Sequence, residues 1–100
     1  MSTIAEKLRN AANVLDIVAP DEKEVLSIGI EHKQKRVCVH IYSVDEFTRI
    51  AKQTQADSLL YDDGQVSVLV DGVEWTYVAD NKYEVNNIIE ALQLPVRVRT

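Results

Sequence analysis

Cysteine, glycine and proline are all scarce in this chain, and each scarcity excludes a class of protein. The 100 residues include one Cys, three Gly and two Pro. Because Cys38 is alone, it cannot form an internal disulfide, which agrees with a reducing compartment. So little Gly and Pro in a sequence that is 46% hydrophobic argues against a disordered or collagen-like chain. The composition predicts a single ordered domain over residues 1–100.

Long hydrophobic runs and an excess of basic residues are also missing. No stretch approaches the roughly 18 apolar residues that a transmembrane helix requires, and the first residues are amphipathic rather than signal-like. The 11 basic residues are outnumbered by 16 acidic ones. Since direct nucleic-acid binding needs a basic surface, this balance disfavours it. We predict a cytoplasmic protein that contacts neither a membrane nor nucleic acid directly.

The negative charge is concentrated in the second half of the chain. Residues 53–96 carry eight acidic side chains against one basic side chain, Lys82, whereas residues 1–52 carry eight of each sign. A surface of one sign attracts partners of the opposite sign and speeds their encounter. This distribution is compatible with a basic protein partner.

Two Asp-Gly dipeptides predict the centre of the fold. Asp63-Gly64 and Asp71-Gly72 flank the alternating residues 65–70, and Asp-Gly favours the type I′ turn of a two-residue hairpin. We therefore predict an antiparallel meander over residues 57–61, 65–70 and 73–79. A one-residue slip in its register would move the apolar side chains of a strand to the opposite face of the sheet. In this register five facing pairs on one side of the sheet are apolar: Tyr61 with Val66, Leu59 with Val68, Val70 with Val73, Val68 with Trp75, and Val66 with Tyr77.

The first half of the chain predicts a second hairpin. Residues 24–32 and 35–42 both alternate between apolar and polar side chains. A turn at Lys33-Gln34 would join them, although it lacks the usual Gly or Asn. This turn would place Ile30 opposite Val37, Ile28 opposite Val39, Leu26 opposite Ile41, Ser27 opposite His40, and Glu31 opposite Arg36.

Capping residues and apolar spacing predict three helices. Thr3 with Glu6 and Ser43 with Glu46 are capping boxes. Asp80 or Asn81 can cap the third helix. The helices are expected to end at Pro20, near Gln55 and before Pro95. Their apolar stripes consist of Ile4, Leu8, Ala11, Leu15 and Val18; of Phe47, Ile50, Ala51 and Thr54; and of Val85, Ile88, Ile89 and Leu92.

The resulting element order is α-β-β-α-β-β-β-α, with residues 96–99 alternating like a short further strand. Strands joined by tight turns are antiparallel, and each of these strands has one apolar face. The sequence therefore predicts an α+β fold, in which three helices cover one side of an antiparallel sheet of about five strands.

Residues 39–47 (VHIYSVDEF) form a strand that leads into a capped helix, and residues 70–75 (VDGVEW) form a hairpin corner. Both segments resemble patterns in small uncharacterised proteins encoded by bacteriophages and prophages. The resemblance implies an accessory phage protein that acts in a bacterial cytoplasm. It assigns no functional residue.

Catalytic and metal-binding motifs are absent from the sequence. His32, Cys38 and His40 are the soft metal ligands, but the predicted register turns His32 away from the other two, and no CxxC or HxxxH spacing occurs. Cys38 has no residue placed to orient a catalytic His. Isolated glycines cannot form a phosphate-binding loop. We predict no enzymatic activity, no metal and no cofactor.

Acidic residues form the first candidate binding surface. Asp62, Asp63, Asp80 and Glu84 should gather at one end of the meander, because the second hairpin returns the chain to the first turn. An acidic cluster of this kind can occupy a basic channel in place of phosphates. The simpler alternative is a solvated acidic rim that aids solubility.

The sheet face opposite the helices is the second candidate. Its apolar members include Tyr42, Leu60, Leu69 and Val78, interspersed with polar residues, and a half-apolar open face is typical of an interface. The alternative is ordinary scatter of exposed apolar residues, or a helix on that side. An edge strand, formed by residues 73–79 or 96–99, could also pair two copies into a homodimer.

Together these patterns predict a small non-enzymatic accessory protein of phage type that acts by protein–protein binding. Its most specific form would be an acidic inhibitor of a host nucleic-acid enzyme or defence system. Two alternatives stay open: a self-assembling structural protein, and an oligomer that binds a small ligand.

Overall fold

The computed structural model describes residues 3–18, 25–31, 33 and 35–98 and shows an α+β fold. The element order agrees with the sequence prediction. In chain order the elements are α1 (Ile4–Val18), β1 (Val25–Glu31), β2 (Arg36–Ile41), α2 (Val44–Gln53), β3 (Leu59–Asp62), β4 (Gln65–Val70), β5 (Val73–Val78), α3 (Lys82–Leu92) and β6 (Val96–Val98).

The described strands form one mixed sheet in the order β1-β2-β5-β4-β3-β6. The prediction of an antiparallel sheet of about five strands is wrong, because β2 pairs with β5 in parallel and β6 adds a sixth strand parallel to β3. Both parallel pairs are connected by long crossovers that contain a helix, which is the connection that parallel strands require. The prediction that residues 73–79 could form an edge strand is also wrong, because this strand, β5, lies at the centre of the sheet. Strands β1 and β6 form the two edges.

The two Asp-Gly turns form as predicted. Asp63 and Gly64 have φ values of 42° and 84°, and Asp71 and Gly72 have values of 52° and 80°, as type I′ turns require. The apolar register follows: Tyr61 pairs with Val66, Val66 with Tyr77, Val68 with Trp75, and Val70 with Val73.

The first hairpin matches its predicted register except at one end. Ile30 pairs with Val37 and Ile28 with Val39, but a bulge shifts the register so that Val25, not Leu26, lies opposite Ile41. A bulge of this kind places two residues of one strand opposite one of its neighbour. Gln34 of the predicted turn and the helix stop Pro20 lie outside the described residues.

Capping side chains define where the described helices begin. Ser43 Oγ accepts a hydrogen bond from the Glu46 N–H at 3.3 Å, and Thr3 caps α1 in the same way. For α3 the cap is Asn81 rather than Asp80. Each cap stabilises its helix by about 1 kcal/mol.

The hydrophobic core lies between one face of the sheet and the three helices. Trp75 is its largest fully buried side chain. One cluster joins inward-facing strand residues with residues of every helix, so all three helices cover the same face: Ala11 and Val14 of α1, Phe47, Ile50 and Ala51 of α2, and Val85 and Ile88 of α3 belong to it.

Candidate protein-binding surface

The opposite face of the sheet carries exposed apolar side chains, and we call it the open face. Tyr42, Leu69 and Val78 have 56%, 56% and 54% of their surface exposed. The fourth predicted interface residue, Leu60, is half-buried. Three of the four side chains are thus available for contact with a partner.

Between these side chains the open face has a polar floor. Ser67 lies directly opposite Thr76 on neighbouring central strands. Both are nearly buried, as is Glu74. The alternation of the sequence places these residues on the open face. Their burial depends on the larger side chains of the neighbouring strands.

Glu74 holds two side chains of the neighbouring strand β2. Its Oε2 accepts a hydrogen bond from Arg36 Nη2 at 3.0 Å and lies 3.7 Å from Cys38 Sγ. Burial, followed by the Glu74 carboxylate, raises the pKa of the Cys38 thiol. A raised pKa leaves less of the nucleophilic thiolate at neutral pH.

Metal-ligating side chains do not converge within the described residues, where no group of three His, Cys, Asp or Glu residues could hold an ion. Cys38 and His40 belong to the same face of β2, as expected from its alternation. His32 lies outside the described part of the chain.

The predicted acidic residues lie around one end of the meander, which we call the acidic end. Here the Ala79 N–H donates to the carbonyl oxygen of Gly64 at 2.8 Å, so the chain leaving β5 passes beside the first Asp-Gly turn. This contact brings Asp80 to the end of the sheet that carries Asp62 and Asp63. All three aspartates are exposed.

Glu84, the fourth predicted acidic residue, is used inside the protein. Its Oε1 accepts hydrogen bonds from the Tyr77 hydroxyl at 2.7 Å and from the Asp80 N–H at 3.0 Å. Burial first, and then the Glu84 carboxylate, raise the pKa of Tyr77 well above its usual range. The acidic end therefore presents three aspartates, and the backbone of one of them, Asp80, is held by Glu84.

A partly enclosed crevice of about 340 Å³ lies where the open face meets the acidic end. It is formed at the carboxyl ends of the parallel strands β2 and β5. The parallel pairing of β2 with β5 brings the open face and the acidic end together, two surfaces that the sequence predicts separately. Its lining side chains include His40, Tyr42, Thr76, Val78 and Asp80.

Comparison with known proteins does not assign this chain to a family. No protein-family model matches the chain, and neither does any curated protein or solved structure. The resemblance to small bacteriophage and prophage proteins thus stays a prediction. Within the described residues, no helix combines the length and the apolar character needed to span a membrane.

Proposed function

We propose that this protein acts by binding another protein, without catalysis, through the open face and the acidic end together. The crevice carries this proposal, because it makes Tyr42 and Val78 of the open face continuous with Asp80 of the acidic end. Apolar and aromatic side chains supply contact area at interfaces. Carboxylates at the rim supply orientation and faster encounter.

The partner that fits this surface is a basic protein. Asp62, Asp63 and Asp80 are exposed at one end of the sheet, and residues 53–96 have one basic side chain against eight acidic ones. Such a surface can occupy a nucleic-acid channel in place of phosphates. We therefore propose a phage-type accessory factor in a bacterial cytoplasm that inhibits a host nucleic-acid enzyme or defence protein.

Affinity capture with matched variants tests this proposal. Tagged wild-type protein and its Leu69→Lys variant are incubated with a bacterial lysate at low and high salt, and the bound proteins are quantified. Ile17→Lys is the control, because it makes the same change at an exposed apolar residue of α1. We expect a stoichiometric basic protein with wild type and Ile17→Lys, weakened by high salt and lost with Leu69→Lys.

Two results would contradict the proposal. One is equal capture by Leu69→Lys and wild type, which would place the contact elsewhere. The other is recovery of the bait alone, which would favour self-assembly or ligand binding.

Strand β1 favours a second candidate function, self-assembly. It is an edge of the sheet, and its Ile28 and Ile30 have 46% and 44% of their surface exposed. Exposed apolar edge strands can pair with a second copy. Sedimentation velocity tests this candidate: a dimer that Ile30→Lys converts to a monomer would support it, and a monomeric wild type would exclude it.

A further inference from the structure

We propose that the crevice between β2 and β5 binds an arginine side chain of the partner protein, with the guanidinium group between the Tyr42 ring and the Asp80 carboxylate. This inference rests on the proposed function, since it names the group that the surface would recognise. The occupant follows from the charge and the shape of the lining.

Charge complementarity is the first observation. Asp80 supplies a carboxylate that has no side-chain hydrogen bond or ion pair with any described residue, because the bond to Glu84 uses the Asp80 backbone N–H. Among the described residues, the lining includes His40 but no Lys or Arg that could neutralise this carboxylate. Asp62 and Asp63 add negative charge at the same end of the sheet. A cation entering the crevice therefore meets a carboxylate that pairs with no described side chain, close to two further aspartates.

Thr76 supplies a second and independent observation. Only 5% of its surface is exposed, it lines the crevice, and its hydroxyl makes no hydrogen bond to any described residue. The Thr76 oxygen is not one of the fully buried side-chain atoms that lack a partner, so it can be reached from the crevice. A ligand donor that reaches the floor of the crevice would satisfy the Thr76 oxygen.

The aromatic ring selects arginine over lysine. Tyr42 is 56% exposed at the rim of the crevice, and a guanidinium can stack on such a ring while its N–H groups point sideways to oxygen acceptors. Its five donors can serve the Asp80 carboxylate and the Thr76 hydroxyl together. The lysine ammonium is a point charge with three donors and no planar surface.

A larger cavity of about 470 Å³ between α2 and α3 is a weaker candidate, although it also has acidic and aromatic lining residues. Its half-buried polar side chains, Thr48 and Glu84, have partners within the protein, and its other polar side chains are exposed to solvent. The Thr48 hydroxyl donates to the Val44 carbonyl oxygen at 3.1 Å, and Glu84 accepts from Tyr77 and Asp80. No comparable unpartnered floor residue points to a ligand there.

Titration of the ¹⁵N-labelled protein with N-acetyl-arginine amide at low salt tests the inference. Amide shifts are expected in residues 40–42 and 76–80. N-acetyl-citrulline amide, which has nearly the same shape without the charge, should produce much smaller shifts. We expect Asp80→Asn to weaken binding about fivefold and Tyr42→Leu about threefold. Asp57→Asn removes one exposed charge at the opposite end of β3 and should leave the affinity unchanged.

The inference fails if citrulline amide binds as well as arginine amide, if a lysine analogue binds more tightly, or if Asp57→Asn weakens binding as much as Asp80→Asn. It also fails if shifts fall outside the crevice. Partner capture separates this failure from that of the proposed function. A protein that Leu69→Lys loses but Asp80→Asn retains would support the proposed function and overturn the arginine site.

Discussion

Tyr77 closes the hydrophobic core at the end of the sheet where β5 leads towards α3. Its ring centroid lies 6.1 Å from that of Phe47, and its hydroxyl donates to Glu84. The same carboxylate accepts the Asp80 N–H. One tyrosine hydroxyl therefore helps to fix the chain that positions Asp80 at the acidic end.

Replacing this hydroxyl should measurably destabilise the protein. We expect Tyr77→Phe to lower the free energy of unfolding by about 1.5 kcal/mol, because a hydrogen bond to a charged acceptor is lost. Urea unfolding monitored by circular dichroism measures the change. Tyr83→Phe is the matched control, because Tyr83 is 81% exposed, and it should have little effect. Equal losses in the two variants would contradict the structural role of Tyr77.

The raised pKa of Tyr77 gives this contribution a defined pH dependence. The unfolded chain releases the tyrosine proton near pH 10, whereas folded Tyr77 keeps it to higher pH. Its stabilisation is therefore complete below about pH 10 and is lost as the pH rises further. The stability difference between wild type and Tyr77→Phe should stay constant from neutral pH to about pH 9 and narrow above about pH 10. Narrowing at lower pH would contradict this assignment.

Cys38 should be a slow nucleophile whose reactivity depends on Glu74. Burial and the Glu74 carboxylate raise the pKa of its thiol. The rate of reaction with a disulfide reagent rises with pH as the thiol ionises, and Glu74→Gln should shift the midpoint of this pH profile to lower pH. Stopped-flow absorbance across the alkaline range measures that midpoint. An unchanged or higher midpoint in Glu74→Gln would show that Glu74 does not control the thiol.

At the scale of elements, the hairpin turns depend on glycine only where φ is positive. Gly72 has a φ of 80°, and a Cβ there would meet the Lys7 side chain at an ordinary 3.5 Å. We therefore expect Gly72→Ala to cost about 1–2 kcal/mol from backbone strain alone. Gly29 is the matched control, since an added Cβ would have His40 Nε2 at 3.9 Å as its nearest neighbour. Thermal unfolding should show Gly29→Ala to be neutral or slightly stabilising, and equal losses would exclude strain as the cause.

Local elements could be predicted from the sequence because their signals are local. The Asp-Gly turns set the meander register, and Ser43 and Thr3 mark the starts of their helices. The bulge near Val25 was missed, since nothing in the alternation of β1 requires an extra residue there. Asp80 and Asn81 offered equivalent caps, and the choice of Asn81 depends on how the chain leaves β5.

Strand neighbours could not be predicted in the same way. Alternation shows which side chains share a face, but it does not show which strand lies beside which. The crevice lined by Tyr42 and Asp80 forms because β2 pairs with β5 in parallel. It could not be predicted from the sequence, although both residues were candidates. Thr76 was not predicted as a site residue, because threonine is common in strands. Its burial results from the neighbouring strands on both sides of β5.

At the scale of the whole molecule, the sheet has two different faces. One is covered by three helices, and the other combines exposed Tyr42, Leu69 and Val78 with a nearly buried polar floor. The acidic end adjoins the open face at the crevice. This arrangement predicts that a partner contacts the open face and the acidic end in one continuous interface.

Carboxyl footprinting of the protein in complex with its captured partner tests that interface most directly. A carbodiimide couples glycine ethyl ester to accessible carboxylates, and mass spectrometry compares the bound and free protein. Binding through the acidic end predicts strong protection of Asp62, Asp63 and Asp80, with exposed Asp16 of α1 modified equally in both states. Protection of Asp16 with no change at Asp80 would place the partner on the helical side and contradict the proposed function.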